Sequence, residues 1–292
     1  MSSVSRVASG LTFTKITRQT NNYNKVLSAI NAKVYVPGGF PYEAFNGLGY
    51  IKPWSITRLV ESSRAAAFNK PDDKNTGFLD ASRLHDSYLF FIASTSTKIF
   101  PELYDMSVKK APLELDIKLD YVGNRAYKLQ TTISVQGASS PLCINNTQAV
   151  SVSKDTRTPL QLPEWWKEKY SSVKGEPLKI SRLNVPENVT FTNHRLQAQA
   201  SDTDAYMHVN WTSFVKYCYD AFVISEFQKN PEIVPQNLFR NMKHFSACYI
   251  KEASLGDNIS IRYWQDPVVS NLYNFQVQKE SDVICECSAE FF

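Results

Sequence analysis

The sequence lacks the features that mark several common classes of protein. Its 292 residues include only four histidines, none of which stands at a metal-ligand spacing from another histidine or from a cysteine. No apolar run is longer than a handful of residues, as in Leu89–Ala93, so no segment is long enough to span a bilayer. The serine-hydrolase elbow Gly-x-Ser-x-Gly does not occur. We therefore expect no metal, no other cofactor and no membrane span.

The charge is also unremarkable in amount and in distribution. The formal net charge is +4, and the basic residues are dispersed rather than gathered in the stripe that binding to a phosphate backbone requires. Nucleic acid is therefore not an expected partner. The five cysteines are an odd number without the spacing of a disulfide framework, which predicts reduced, mostly buried thiols in an intracellular protein.

The N-terminal segment lacks acidic residues as far as Glu43, although Arg6, Lys15 and Arg18 already occur in it. This bias is typical of a mitochondrial transit peptide. The simpler interpretation is a frayed N-terminus followed by a short helix around Asn24–Ala32. We thus expect a cytoplasmic protein, with a mitochondrial location as the alternative.

Two segments of the chain resemble each other, and only the second carries ionisable residues. Asn46–Ile51 and Asp204–Val209 stand at one offset (208 − 50 = 158), and each precedes a helical pattern. The helical stripes keep the same offset. Ile56, Leu59, Val60 and Ser63 correspond in this way to Phe214, Tyr217, Cys218 and Ala221. A chance match would not preserve the helical phase, so the sequence predicts two related halves.

A second alignment relates the later parts of the two halves at an offset of 133, pairing Ile117–Asn124 with Ile250–Asp257. It predicts a hairpin turn at each Gly-Asn or Gly-Asp pair, and it makes Leu119 the counterpart of Glu252. The change of offset predicts an insertion near residues 69–77 of the first half. A chain of this length suffices for two domains of about 140 residues. The predicted divisions are an N-terminal extension (1–33), a first domain (34–165), a linker (166–180) and a second domain (181–292).

These residues resemble those of the acyl-ACP thioesterases, which are related to the 4-hydroxybenzoyl-CoA thioesterase-like group. That family carries Asp-x-Asn-x-His-Val-Asn at the mouth of a central helix in its C-terminal domain, with a Glu on a later strand. The resemblance implies an α+β fold, a double hot-dog, in which each of two tandem repeats has a long central helix wrapped by an antiparallel sheet. The corresponding residues are Asp204, Tyr206, His208, Val209, Asn210 and Glu252. Tyr206 stands where the family has Asn.

The resemblance implies hydrolysis of a fatty or polyketide-like acyl thioester, carried by acyl carrier protein or coenzyme A, at a single site in the C-terminal domain. Its implied catalytic residues are Asp204, His208 and Glu252. Implied substrate contacts are Tyr206, Val209, Asn210, Asn46 and Tyr50. A homodimer is a possible assembly.

Each of the three catalytic candidates also has a structural interpretation. Asp204 would cap the following helix, His208 would be a hydrogen-bonded structural histidine, and Glu252 would face solvent on a strand. A non-catalytic module that binds acyl groups or small lipids is therefore the alternative function. A hot-dog dehydratase is disfavoured, because its Asp and His are expected five residues apart and are four apart here.

Overall fold

The structure, a computed structural model, describes residues 23–68, 77–156 and 158–292. The predicted transit-peptide segment before residue 23 and the predicted insertion at residues 69–76 lie outside the described residues. Within the described part of the chain, no helix is long and apolar enough to cross a membrane. All five cysteines are unpaired, and four of them are buried, as expected.

One antiparallel sheet of eleven strands forms the framework of the described residues. In chain order the strands are β1 (Tyr23–Ser28), β2 (Asn31–Val36), β3 (Tyr88–Ile99), β4 (Leu113–Val122), β5 (Ala126–Val135), β6 (Pro141–Ser153), β7 (Thr192–Gln197), β8 (Met242–Tyr249), β9 (Asn258–Gln265), β10 (Leu272–Lys279) and β11 (Asp282–Phe291). The helices are α1 (Pro53–Phe68), α2 (Ala81–Leu84), α3 (Glu164–Lys169), α4 (Trp211–Lys229) and α5 (Pro235–Leu238). The predicted α+β class is thus confirmed.

The order of the strands is the same in the two halves when each is followed inward from its edge of the sheet. After β1, the first half runs β2, β4, β5, β6, β3, and the second half runs β7, β9, β10, β11, β8. The halves meet where Ser94–Lys98 of β3 pairs with His244–Cys248 of β8. At the centre of this pairing Ser96 lies opposite Ser246, and the Ser96 hydroxyl is 2.9 Å from His244 Nε2. The sheet is therefore continuous across the junction.

The two long helices, α1 and α4, pack against the sheet and against each other. Pro53 opens α1, where its missing N–H costs no intrahelical hydrogen bond. The residues of both predicted stripes are buried, which places the apolar side of each helix on the sheet. They are Ile56, Leu59, Val60, Ser63, Phe214, Tyr217, Cys218 and Ala221.

The prediction of a helix near residues 24–32 is wrong, because this segment forms most of the hairpin of β1 and β2. Strand β2 also pairs with β4, and its alternate residues Ala32, Val34 and Val36 are buried. Pairing with the sheet therefore outweighs the local helical preference of the segment. The expected boundary between residues 33 and 34 falls inside β2, so this part of the expected extension belongs to the sheet.

The alignment at an offset of 133 is also wrong. Gly123 does follow β4 in the predicted hairpin with β5. Gly256, by contrast, lies between β8 and β9, which are separated in the sheet by β10 and β11. Leu119 is a buried residue of β4, whose place in the sheet corresponds to β9 rather than to the β8–β9 connection. Leu119 is therefore not the counterpart of Glu252, and the offset change gives no support for the predicted insertion.

The segment that joins the halves is packed rather than free. Trp166 and Tyr170 are buried; the Trp166 indole donates to Leu79 O (2.8 Å) and the Tyr170 hydroxyl donates to Asp80 Oδ2 (2.7 Å). The start of the predicted linker therefore belongs to the core of the first half. Farther along, Leu178 N donates to Gln148 Oε1 (2.8 Å) and Leu183 N donates to Glu286 Oε2 (3.1 Å). These bonds hold the segment across strands of both halves.

Candidate active site

The loop that carries Asp204 and His208 is closed by its own backbone. Thr203 and Val209 form an isolated bridge, and Asp204 N donates to His208 O (2.8 Å). Asp204 Oδ1 accepts from Tyr206 N (2.8 Å) and from His208 N (3.4 Å). The carboxylate therefore closes the loop by the hydrogen bonds that Asx turns use. Because it bonds within the loop, it is not the cap of the helix.

The loop of the first half has the same construction at the offset of 158. Phe45 and Ile51 form the bridge, and Asn46 N donates to Tyr50 O (2.8 Å). Asn46 Oδ1 accepts from Leu48 N and Tyr50 N, each at 3.0 Å. The two loops thus share a backbone and differ in chemistry, since an amide replaces the carboxylate and a phenol replaces the imidazole.

Glu252 lies next to His208 although 44 residues separate them in the chain (252 − 208 = 44). The distance between His208 Nδ1 and Glu252 Oε2 is 3.5 Å, and the side chains are 25% and 53% exposed. The sequence suggested that Glu252 lies on a strand. In the structure it lies in the connection between β8 and β9. That connection is held against the loop, because Val209 N donates to Ala253 O (2.7 Å) and Leu255 N donates to Met207 O (3.2 Å).

The environment of Asp204 disfavours its charged form. Burial raises the pKa of the Asp204 carboxyl, and the negative charge of Glu61 adds to this effect. The N–H groups of Tyr206 and His208 and the charge of His208 act in the opposite direction without cancelling the rise in pKa. Carboxyl groups with perturbed pKa values are concentrated at sites of acid–base chemistry. The raised pKa of Asp204, in the same loop as His208, is consistent with such a site.

Helix α4 begins directly after the loop. Asn210 is its N-cap, and Asn210 Oδ1 accepts from Thr212 N (2.9 Å) and from the Thr212 hydroxyl (2.8 Å). Ser213 N donates to Asn210 O (2.9 Å). Among the described residues, the Trp211 N–H has no acceptor. The positive end of α4 therefore keeps one backbone donor at the point where the loop of Asp204 and His208 ends.

The expected substrate contacts Val209 and Tyr206 differ in how deeply they are buried. Val209 is 7% exposed and lies in the core, with its N–H bonded to Ala253 O. Tyr206 is half-buried at the centre of the loop.

In the first half, the rings of Tyr50 and Tyr104 meet in a T-shaped arrangement with 6.1 Å between centroids. An open pocket of about 300 Å³ lies beside that loop. It is lined by Gly38, Phe40, Phe45, Gly49, Leu103, Met106, Val108, Lys110 and Ala111.

Sequence reasoning missed the contribution of α1 to this region. Glu61 Oε2 accepts from the indole Nε1 of Trp211, the first residue of α4, at 2.9 Å, and it pairs with Arg64. Glu61 and Trp211 are 150 residues apart. The available signal was the offset of 158, at which Glu61 corresponds to Tyr219 of α4, so that the charged residue occurs in only one of the two long helices. Among the described residues, no group of three or more His, Cys, Asp or Glu side chains is arranged to hold a metal ion.

Comparison with solved structures identifies the fold. An acyl-ACP thioesterase from Bacteroides thetaiotaomicron is 18% identical, matches 90% of this chain and 98% of its own, and has a TM-score of 0.65. The 12:0-ACP thioesterase from Umbellularia californica is 11% identical, matches 92% and 99% of the two chains, and has a TM-score of 0.67. No protein-family model matches the sequence, and no curated protein sequence is significantly similar to it. The chain therefore shares the hot-dog fold of these thioesterases.

Proposed function

We propose that this chain, which has the hot-dog fold of the acyl-ACP thioesterases, hydrolyses acyl thioesters at one site in its second half. One observation carries the proposal: the His208 imidazole lies 3.5 Å from the Glu252 carboxylate. His208 itself belongs to the loop that Asp204 closes at the start of α4. The equivalent loop of the first half has the same backbone but carries Asn46 and Tyr50. We interpret the halves as tandem hot-dogs, the first of which is scaffold.

Thioester hydrolysis needs an activated water and donors that stabilise the developing oxyanion. In the proposed mechanism Glu252 polarises the water, and His208 accepts the proton of the water and passes it to the departing thiolate. Because Glu252 is more than half exposed, water has direct access to it. Asp204 fixes the position of the His208 backbone through its hydrogen bond and supplies a second carboxylate.

The first turn of α4 is the proposed place for the thioester carbonyl. The Trp211 N–H is the backbone donor left there by the Asn210 cap, and the helix dipole adds a partial positive charge. The amide nitrogen of Asn210 is a second donor on the same residue that caps the helix. Negative charge that develops on the carbonyl oxygen would be stabilised by both groups, more strongly than the uncharged carbonyl of the bound substrate.

The fold and the site together support the proposed substrate class. The relatives named above act on acyl carrier protein thioesters, and we propose an acyl group on acyl carrier protein or coenzyme A as the substrate of this chain. The acyl group is fatty or polyketide-like. Tyr206, Val209 and Asn210 would shape the site, and Asn46 and Tyr50 would shape the first half. Tyr206 replaces a smaller amide, so its ring changes the form of the site next to His208.

The experiment is a hydrolysis assay with acyl-CoA and acyl-ACP thioesters of graded chain length. We expect turnover by the wild type and a loss of about a hundredfold or more in kcat/KM for His208→Ala and for Glu252→Gln, the scale of a positioned acid or base. His194→Ala, a half-buried histidine of the edge strand β7, is the matched control and should retain activity.

Two outcomes would contradict the proposal. One is a wild type that binds a non-hydrolysable acyl thioether but turns over no thioester, which would indicate an acyl-binding module. The other is hydrolysis within about threefold of the wild type in both variants, which would place the reaction elsewhere.

A further inference from the structure

Glu61 is a half-buried carboxylate on the first-half helix that contacts the second-half site. Its side chain is 29% exposed, and its partner Arg64 is 13% exposed. The Trp211 indole and the Arg64 guanidinium both bond to Oε2, at 2.9 Å and 2.5 Å. Among the described residues, Glu61 Oε1 accepts no hydrogen bond. The carboxylate thus bridges α1 and the first residue of α4.

The contact occurs at only one of the two equivalent places. At the offset of 158, Glu61 corresponds to Tyr219 and Arg64 corresponds to Phe222. Tyr219 packs its ring on Trp54, near the start of α1, with 5.8 Å between centroids. Each long helix therefore presents one residue to the N-terminal turn of the other. That residue carries a carboxyl group only where the turn follows Asp204 and His208.

The partner of Glu61 is the residue whose backbone would bind the substrate carbonyl. Trp211 is 8% exposed, its ring meets Tyr249 edge-on at 6.3 Å, and its indole N–H has Glu61 as acceptor. A side chain fixed by packing on one side and by a hydrogen bond on the other holds its own backbone in place. Glu61 thereby acts on the position of the Trp211 N–H.

The negative charge of Glu61 also acts on the acid of the loop. The charged groups that act on Asp204 are His208 from its own loop and Glu61 from α1. Beyond them, Glu252 lies next to His208, and Arg64 neutralises part of the charge of Glu61. Removal of the Glu61 charge should therefore make Asp204 easier to ionise.

We propose that Glu61, supplied by the first half, is a positioning residue of the second-half site, which holds Trp211 and the first turn of α4 against the reacting carbonyl. The inference rests on the proposed function. It makes the first half a contributor to the reaction as well as a scaffold.

The test separates the hydrogen bond from the charge. Glu61→Met removes both, Trp211→Phe removes only the indole donor, and Glu61→Gln keeps an acceptor without the charge. The matched control is Glu226→Met on α4, because Glu226 is 27% exposed and bonds to Lys229 three residues on and to the Tyr263 hydroxyl. Circular dichroism and thermal unfolding establish that each variant is folded.

We expect Glu61→Met and Trp211→Phe each to lower kcat by about fivefold, the scale of one hydrogen bond, with KM changed less than twofold. The double variant should lose no more than either single variant, because both remove the same bond. Glu61→Gln should move the acidic limb of the kcat/KM profile to lower pH. Glu226→Met should resemble the wild type in all of these measurements.

A second readout keeps this test independent of turnover. The His208 ring signals in NMR spectra report the ionisation of Asp204, and calorimetry gives the Kd of a non-hydrolysable acyl-CoA thioether. Glu61→Gln should lower the pH at which these signals report the ionisation of Asp204, and Glu61→Met should weaken analogue binding. If the wild type hydrolyses nothing while these effects appear, the proposed reaction fails and the positioning role stands. Values of kcat and Kd within twofold of the wild type together with an unshifted inflection pH in the Glu61 variants, or an equal loss in Glu226→Met, would overturn the role of Glu61.

Discussion

Met207 occupies in the second half the backbone position that Gly49 occupies in the first. Both residues have a left-handed backbone conformation, with φ angles of 63° for Met207 and 80° for Gly49. The Met207 N–H donates to Asp204 O, and the Gly49 N–H donates to Asn46 O. Glycine adopts this conformation without strain, whereas a side chain with a Cβ does not. The loop next to His208 therefore carries a strain that its counterpart avoids.

Met207→Gly should stabilise the protein by up to about 1 kcal/mol, and Gly49→Ala should destabilise it by about 1 kcal/mol. A Cβ on Gly49 would also come within 2.7 Å of Met106 Cε, which must then move. Chemical unfolding measures both changes. Gly47→Ala, which meets no atom within 4 Å and has no positive φ, is the control from the same loop. Equal effects of Gly49→Ala and Gly47→Ala would contradict the assignment of strain.

Asp204→Asn should raise stability at neutral pH while it lowers kcat/KM. Because burial raises the pKa of Asp204 above its ordinary value of 3.8, stability falls as pH rises through the interval between 3.8 and the raised pKa. The penalty persists at pH 7. Asparagine removes it and can keep the loop closed, as Asn46 does in the first half.

Thermal unfolding at several pH values measures this effect. The midpoint for Asp204→Asn should exceed that of the wild type at pH 7, and the difference should disappear below pH 3.8, whereas kcat/KM should fall by about a hundredfold or more. Asp105→Asn is the control, since Asp105 closes an exposed turn and the hydrogen bonds from Ser107 lower its pKa. A variant that is less stable than the wild type at pH 7 would show that the charge is needed to hold the loop.

Glu286 ties the connecting segment to β11. Its Oε2 accepts from Arg182 Nε (2.5 Å) and Leu183 N (3.1 Å), and its Oε1 accepts from Gln276 Nε2 (2.8 Å). Glu286 is 3% exposed. Glu286→Ala would leave the buried Gln276 amide without this acceptor and would also remove the bonds from Arg182 and Leu183, so we expect a loss of about 2–3 kcal/mol in the free energy of unfolding.

The pH dependence of stability distinguishes the charge from the hydrogen bonds of Glu286. Burial alone would raise the pKa of Glu286, but the bonds from Arg182, Gln276 and Leu183 outweigh it and lower the pKa below the ordinary 4.5. The stabilisation is thus present above pH 4.5 and lost as pH falls through the lowered pKa. Glu286→Gln should show a weaker acid dependence than the wild type. The control is Glu290→Gln, whose carboxylate is 30% exposed and pairs with Lys243 at the surface.

The parts of the fold that short segments specify were predictable from the sequence. The helical stripes of α1 and α4 and the shared form of the two loops depend on residues within one or two turns of each other. The proximity of Asp204 and His208 followed from their spacing within one loop. Their proposed chemistry came from a resemblance to a family, since neither residue alone indicates catalysis.

The features that were missed depend on contacts between distant segments. Strand pairing brought residues 23–36 into the sheet and separated β8 from β9. The alternation of apolar and polar residues within one strand does not show which other strand it pairs with. The second-half connection was mistaken for a hairpin because Gly-Asp favours a turn wherever it occurs. The sequence by itself thus determined the α+β class, the two helices and the loop that holds Asp204 and His208. Only the tertiary structure decided which strands pair, that Glu252 meets His208, and that Glu61 of the first half meets Trp211, because these contacts join residues far apart in the chain and no local preference encodes them.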